Sequence, residues 1–278
     1  MVGRLALNGV RAWADALRFL TRLPVPSGIP RSQEGSEADF RRSAVCFPLA
    51  GLVIGLLLAA AAALLREALP PWVAAVLVAA FWIGITGALH MDGLMDTADG
   101  LLSHRSRERM LEIMKDSRVG AMGVTVGALA VLLRASLLAS LLDAAAPGLL
   151  AAALIATPVW SRAFLTAAIA GWPYARARDG AGAGSGGLGG LFRAVRGRHA
   201  ALAAGLAALA TAAAAAWAGG FAVPALTAAP LVAYGVGAPL AAGVSRKLGG
   251  LTGDVYGALN ECLELAMLLG AVAYIIHA

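Results

Sequence analysis

The chain has 278 residues, 60% of them apolar and only 14% charged, where an ordinary soluble domain carries about 25% charged residues. With a mean hydropathy of +0.78 it lacks the polar residues to cover a water-soluble surface, and it is far too apolar to be disordered. An integral membrane protein remains, so the excess of 22 Lys and Arg over 16 Asp and Glu is read first as membrane topology.

Arg4, Arg11, Asp15 and Arg18 interrupt the first apolar pattern, so no secretory leader is expected there. Leu5, Val10, Trp13, Leu17 and Leu20 recur at near-helical spacing. That spacing predicts an amphipathic helix, either lying in the membrane surface or docked on the rest of the chain. Residues 1–43 are expected as an N-terminal interfacial segment and 44–278 as the membrane-embedded domain. A spanning helix needs ~20 mostly apolar residues. The stretches 44–65, 72–90, 119–142, 148–170, 199–223, 224–244 and 258–277 qualify. The predicted fold is an all-α, polytopic bundle of about seven transmembrane helices. The fifth and sixth spans abut at Gly219–Gly220 and Pro224, which predicts a tight hairpin, and the Gly-rich 180–190 reads as a flexible linker. The abundance of small residues lets helices approach closely in lipid and is compatible with a homo-oligomer.

Lys and Arg alternate sharply between the connections. Of the 22, 19 fall in the N-terminal segment and in the loops 91–118, 171–198 and 245–257. The positive-inside rule places those segments, the N-terminus included, in the cytoplasm. The +6 charge is thereby explained without nucleic acid, and it favours anionic lipid or phosphorylated ligands.

Acidic residues are scarce, yet six of the sixteen lie between Asp92 and Asp116. In the run His90-Met91-Asp92-Gly93-Leu94-Met95-Asp96-Thr97-Ala98-Asp99-Gly100, the aspartates stand at i, i+4 and i+7. On a helix they share one face, where their repulsion brings no stability unless a divalent cation relieves it. Mg²⁺ is the cation such oxygens suit, and Asp116 is a candidate to complete the site. Ser106 is a candidate N-cap for a short amphipathic helix. Lys115 and Arg118 are candidates for phosphate oxygens, with positive-inside anchoring as the plain alternative, and Gly120 and Gly123 permit close backbone approach.

Arg162 and Arg134 lie inside spans, where an arginine is costly and faces either a pathway or a paired acid. Asp254 and Glu261 fall on one face if the last helix starts early. His90 adjoins the acidic run as a base, ligand or cap. Cys46 and Cys262 have no metal spacing, and no Walker sequence or Ser/His/Asp arrangement is visible.

Carboxylates, a divalent metal and cations at one membrane face suit chemistry on a phosphate or diphosphate. Phosphoalcohol transfer, prenyl transfer and diphosphate hydrolysis all fit. A CDP-alcohol-type transferase would show an Asp-Gly-x-x-Ala-Arg start, which this chain lacks, and a prenyl transferase a second Asp-rich motif. A secondary transporter, the alternative of a different class, would show inverted repeats, and none is visible.

Several motifs are more specific. They are Phe19-Leu20-Thr21-Arg22-Leu23-Pro24-Val25-Pro26, Phe47-Pro48-Leu49-Ala50-Gly51, the run 90–100, and Glu112-Ile113-Met114-Lys115-Asp116-Ser117-Arg118-Val119-Gly120. Ser161-Arg162, Pro173-Tyr174-Ala175-Arg176, Gly187-Leu188-Gly189 and Gly249-Gly250-Leu251-Thr252-Gly253-Asp254 follow. In this order, over nearly the whole chain, they resemble the adenosylcobinamide-GDP ribazoletransferase family, the cobalamin synthases. The insert 180–186 is longer than the family's link. The resemblance implies a multi-pass enzyme of the bacterial inner membrane that requires Mg²⁺ and works on the cytoplasmic face. It would join adenosylcobinamide-GDP to α-ribazole, or to its 5′-phosphate, with release of GMP. Carried onto this sequence, it makes Asp92, Asp96, Asp99 and Asp116 the expected catalytic and metal-binding set. His90, Lys115, Arg118, Arg162, Arg176 and Asp254 become the expected substrate contacts, and Asp96 or Asp99 the acceptor of the hydroxyl proton.

Overall fold

The computed structural model describes residues 2–32, 36–178, 188–218 and 223–277. Twelve α-helices occupy them: α1 (Val2–Leu20), α2 (Glu37–Val45), α3 (Phe47–Ala68), α4 (Pro71–Thr86), α5 (Leu89–Leu101), α6 (Arg107–Ile113), α7 (Ala121–Ala144), α8 (Pro147–Gly171), α9 (Leu188–Arg193), α10 (Gly197–Ala218), α11 (Val223–Leu248) and α12 (Gly253–His277). Among the described residues the only β-pairing is one isolated bridge, Tyr174 to Leu251. The predicted Gly180–Gly187 part of the linker and the Gly219–Gly220 turn lie outside the described residues.

Among the described residues six helices are each long and apolar enough to cross a membrane, α3, α7, α8, α10, α11 and α12, and the bent pair α4–α5 taken together would be a seventh. Their outward sides carry bare apolar groups such as Leu64, Leu129, Leu132, Leu209 and Leu231, an arrangement that lipid, not water, tolerates. In contrast, α8 is buried on nearly every side and forms the axis of the bundle. It meets α3 at backbone contact distance. A Cβ added to Gly55 would lie 2.6 Å from the Ile155 Cα, so the Gly51/Gly55 pair supplies the small-residue seam expected in lipid.

The predicted span 72–90 is corrected at its end. α4 stops at Thr86, Gly87 and Ala88 both adopt left-handed backbone (φ 61° and 59°), and α5 leaves at 89°. Gly87 carries that turn because it has no Cβ, and the Arg22 side chain packs over it. We read α5 as lying outside the spanning segments, across the ends of α7 and α12.

Two other boundaries move. The expected loop 91–118 is largely the helices α5 and α6, with Ser106 capping α6 through the Arg109 N–H (3.4 Å) as its sequence signalled. The loop 245–257 shrinks to four residues, because α11 runs to Leu248 and α12 starts at Gly253. That early start puts Asp254 in the first turn of α12. α1 packs Ala12, Ala14, Ala16, Leu17 and Leu20 inward while Leu7 and Val10 stay exposed, so its C-terminal half is docked.

Candidate functional site

The acidic motif is helical, as its spacing predicted, and α5 holds it against two neighbours. Gly93 permits the approach to α12: a Cβ there would lie 2.6 Å from the Asp254 carbonyl oxygen. On the other side Gly123 faces the Met95 carbonyl oxygen, 2.9 Å from where its Cβ would be. Asp92 is thereby exposed, Asp96 and Asp99 half-buried, and Asp254 is brought beside them from more than 150 residues away in sequence.

The aspartates then divide. Asp99 accepts two backbone hydrogen bonds, from Gly120 N–H to Oδ2 and from Gly123 N–H to Oδ1, each 2.7 Å. It caps the N-terminus of α7 from another helix, where a carboxylate is worth about 0.3–2 kcal/mol. Asp116 is engaged by its neighbour: Arg118 donates through Nε and Nη2 at 3.0 and 2.7 Å and through its backbone N–H. That pairing holds the Asp116 carboxyl down to about 2. Lys115 is exposed on the same turn.

Asp92, Asp96 and Asp254 form the remaining acidic face. Partial burial, then repulsion from Asp92, Asp254 and Asp99, pushes the Asp96 carboxyl up to about 6, with Arg176 pulling the other way. Arg176 donates to Asp254 Oδ2 (2.9 Å), and Thr252 donates to the same oxygen (3.2 Å). Such crowded hard oxygens suit Mg²⁺, which commonly takes one or two carboxylates and fills its other positions with substrate phosphate and water. Among the described residues, no three His, Cys, Asp or Glu converge tightly enough to cage an ion unaided.

A contact that local sequence could not show fixes this face. Arg107 donates from Nε to the Leu248 carbonyl (2.7 Å) and from Nη2 to the Ala175 carbonyl (3.0 Å). It ties α6 to the end of α11 and to the segment that carries Arg176. The same segment pairs with the 249–252 turn, Ala175 N–H to Leu251 carbonyl and Leu251 N–H to Pro173 carbonyl, both 2.8 Å. Gly250 (φ 151°) allows that pairing, since a Cβ would lie 2.7 Å from the Ala175 nitrogen.

Arg162 is elsewhere. It is fully buried on α8 and paired with Glu264 of α12, which also accepts from Arg134 of α7 (2.8 Å) and from Asn260 (3.1 Å). Arg134 reaches Glu261 as well (2.7 Å) and lies 4.7 Å over the Trp82 ring. Two arginines and two glutamates balance in the bundle interior, so both intramembrane arginines have found paired acids. His90 is buried between this cluster and the acidic face, and its Nδ1 has no hydrogen-bond partner among the described residues.

A cavity of about 200 Å³ adjoins the acidic face, lined by His90, Asp92 and Asp254 and walled by Phe19, Phe47, Phe192 and Tyr256. The sequence patterns gave no sign of it, because its walls come from α1, α3, α9 and α12.

The sequence profile described as cobalamin-5-phosphate synthase matches residues 12–272. The chain belongs to that family. A Brevibacillus brevis protein named adenosylcobinamide-GDP ribazoletransferase is 40% identical over 262 residues, covering 94% of this chain and 97% of that one. An Alkalilimnicola ehrlichii protein of the same name is 44% identical, with 96% of each chain covered. One from Pseudomonas aeruginosa is 38% identical over 94% of this chain and 98% of its own. No solved structure matches the chain. The family motifs fall on the acidic face (α5 and the start of α12), on the Pro173–Arg176 segment and on the α6–α7 connection.

Proposed function

We propose that this protein is an adenosylcobinamide-GDP ribazoletransferase of the bacterial inner membrane, working on the cytoplasmic side. It joins adenosylcobinamide-GDP to α-ribazole, or to its 5′-phosphate, and releases GMP. The family membership supports the reaction. The observation that carries its placement is the acidic face of Asp92, Asp96 and Asp254, where Arg176 is held by Asp254.

The acceptor's ribose hydroxyl attacks the phosphorus nearest the cobinamide. A new P–O bond forms, the bond to the bridging oxygen breaks, and GMP leaves with that oxygen. Asp96 takes the hydroxyl proton on its carboxylate. Asp96 suits this role better than Asp99, whose two carboxylate oxygens are occupied by α7 amides. Asp92 and Asp254 would hold Mg²⁺, which when bound neutralises diphosphate charge and the charge developing on GMP. Arg176 orients Asp254, and the Arg107 clamp fixes the segment from which Arg176 projects. Lys115 and Arg118, exposed beside α7, meet the leaving nucleotide's phosphate.

The test is GMP release from adenosylcobinamide-GDP plus α-ribazole by purified protein, with Mg²⁺ and with EDTA. Release that needs both substrates and the metal is expected. Release without α-ribazole would make the protein a diphosphate hydrolase instead.

A further inference from the structure

The aromatic residues are not spread evenly. The chain has seven Phe and four Tyr, and six of these make one continuous cluster beside the acidic face. Phe19 and Phe47 stack with ring centroids 5.7 Å apart, Phe192 and Tyr256 meet edge-to-face at 5.2 Å, and Tyr174 touches Phe192 at 5.5 Å. Phe40 joins the two pairs, 6.3 Å from Phe47 and 5.4 Å from Phe192. The pairs Phe19/Phe47 and Phe192/Tyr256 both wall the 200 Å³ cavity, and Asp92 and Asp254 line it too.

We propose that this cavity holds the flat aromatic base of the acceptor nucleoside, stacked against these rings, so that its ribose is presented to the acidic face. The proposal rests on the transferase reading above. Three physical arguments select this occupant. Size comes first: about 200 Å³ is below the ~300–1,000 Å³ of pockets for drug-sized ligands, so one bicyclic base fits and a corrin macrocycle or a whole nucleotide does not. Reach comes second. The acceptor base is one ribose away from the attacking oxygen, whereas guanine is a phosphate and a ribose away from the attacked phosphorus. A cavity that shares Asp92 with the site is therefore placed for the nearer base. Polarity comes third: the walls are mostly hydrocarbon, which suits stacking and leaves the hydrogen-bonding edge of guanine largely unmatched. A lipid tail would gain nothing from stacked rings, and its anionic headgroup would face two carboxylates.

Steady-state kinetics on the full-length protein in lipid nanodiscs test this. Phe19 is 39% exposed, so Phe19→Leu leaves the bundle core alone; Phe192 is 4% exposed and packs into that core, so Phe192→Leu is compared with wild type at matched folded fraction, read from its melting curve. Each is expected to raise KM for α-ribazole about tenfold, the scale of one lost stacking contact, with KM for adenosylcobinamide-GDP unchanged. Phe192→Tyr should restore most of the loss. Free benzimidazole should compete with α-ribazole and not with adenosylcobinamide-GDP. An acceptor KM within about twofold of wild type in both Leu variants would overturn the proposal. So would a tightly held lipid, lost from Phe19→Leu without any change in acceptor KM. If wild type released no GMP, the transferase reading would fall on its own, and equilibrium dialysis of benzimidazole would decide the cavity separately. Saturable binding weakened in Phe192→Leu would keep the assignment, and no binding would end it.

Discussion

Two charged clusters lie on either side of His90, and they are built on opposite principles. The interior one sets Arg134 and Arg162 against Glu261 and Glu264, charge for charge, with all four side chains almost completely buried. The other sets Asp92, Asp96 and Asp254 together with Arg176, leaves them partly open, and pushes one carboxyl up towards neutrality. A closed cluster balanced in charge can serve as a fastener among α7, α8 and α12, even though Nε and one Nη of each arginine have no hydrogen-bond partner among the described residues. An unbalanced, open one gains when a cation or a cationic complex arrives. The difference separates scaffold from site within a single chain, although both contain the residue types that usually signal function in a membrane.

That contrast is most easily broken from the interior side. Glu264→Ala strands the buried Arg162 guanidinium and leaves Arg134 with Glu261 alone, a change that costs about 3–5 kcal/mol, so the variant should unfold or fail to accumulate in membranes. Thermal unfolding in detergent checks this, and a variant of wild-type stability would show the quartet to be no fastener. On the open side the expected effects invert. Asp96→Asn should leave the melting temperature within a degree or two, yet slow GMP release by about 10²- to 10⁴-fold if the carboxylate is the general base. Asp99→Asn sits between the clusters in effect, since it loses charge at the α7 N-terminus. It should cost about 1 kcal/mol of stability and lower activity only in proportion to the folded fraction.

The smallest effect is with pH, and its two readouts should diverge. The Asp96 carboxyl is raised in the folded protein from 3.8 to about 6. Between those values the folded state binds more protons than the unfolded, so this group's contribution to stability rises as pH falls through 6. Activity measured with Mg²⁺ should do the opposite, falling as the base is protonated, and the cation on Asp92 and Asp254 should move that fall below pH 6. A pH–rate profile set beside a pH–melting profile measures both.

Much of the candidate site's geometry is legible in the sequence because it is local. The i, i+4, i+7 aspartates needed only the helical repeat, and Ser106 needed only the cap rule. The two intramembrane arginines announced a need for acids, and Glu261 and Glu264 stand three apart, one helical turn, on α12. What stayed hidden depends on distant partners. That Asp99 serves the α7 amides is decided by residues 21 and 24 positions on. Arg107 reaches carbonyls 68 and 141 residues away, and no spacing reveals that. The α4–α5 turn was missed because Ala88 takes a left-handed conformation that alanine does not advertise, so hydropathy carried the span on to residue 90. The aromatic cavity takes one ring from each of four helices, and no single segment contains its pattern.

The most direct test of the separation between site and scaffold is Mg²⁺-dependent GMP release by Asp92→Asn, measured on the same preparation as its thermal unfolding. Asp92 is exposed on the acidic face, so release should be abolished while the melting curve matches wild type. Wild-type turnover in a stable Asp92→Asn protein would contradict the assignment of the acidic face as the catalytic site.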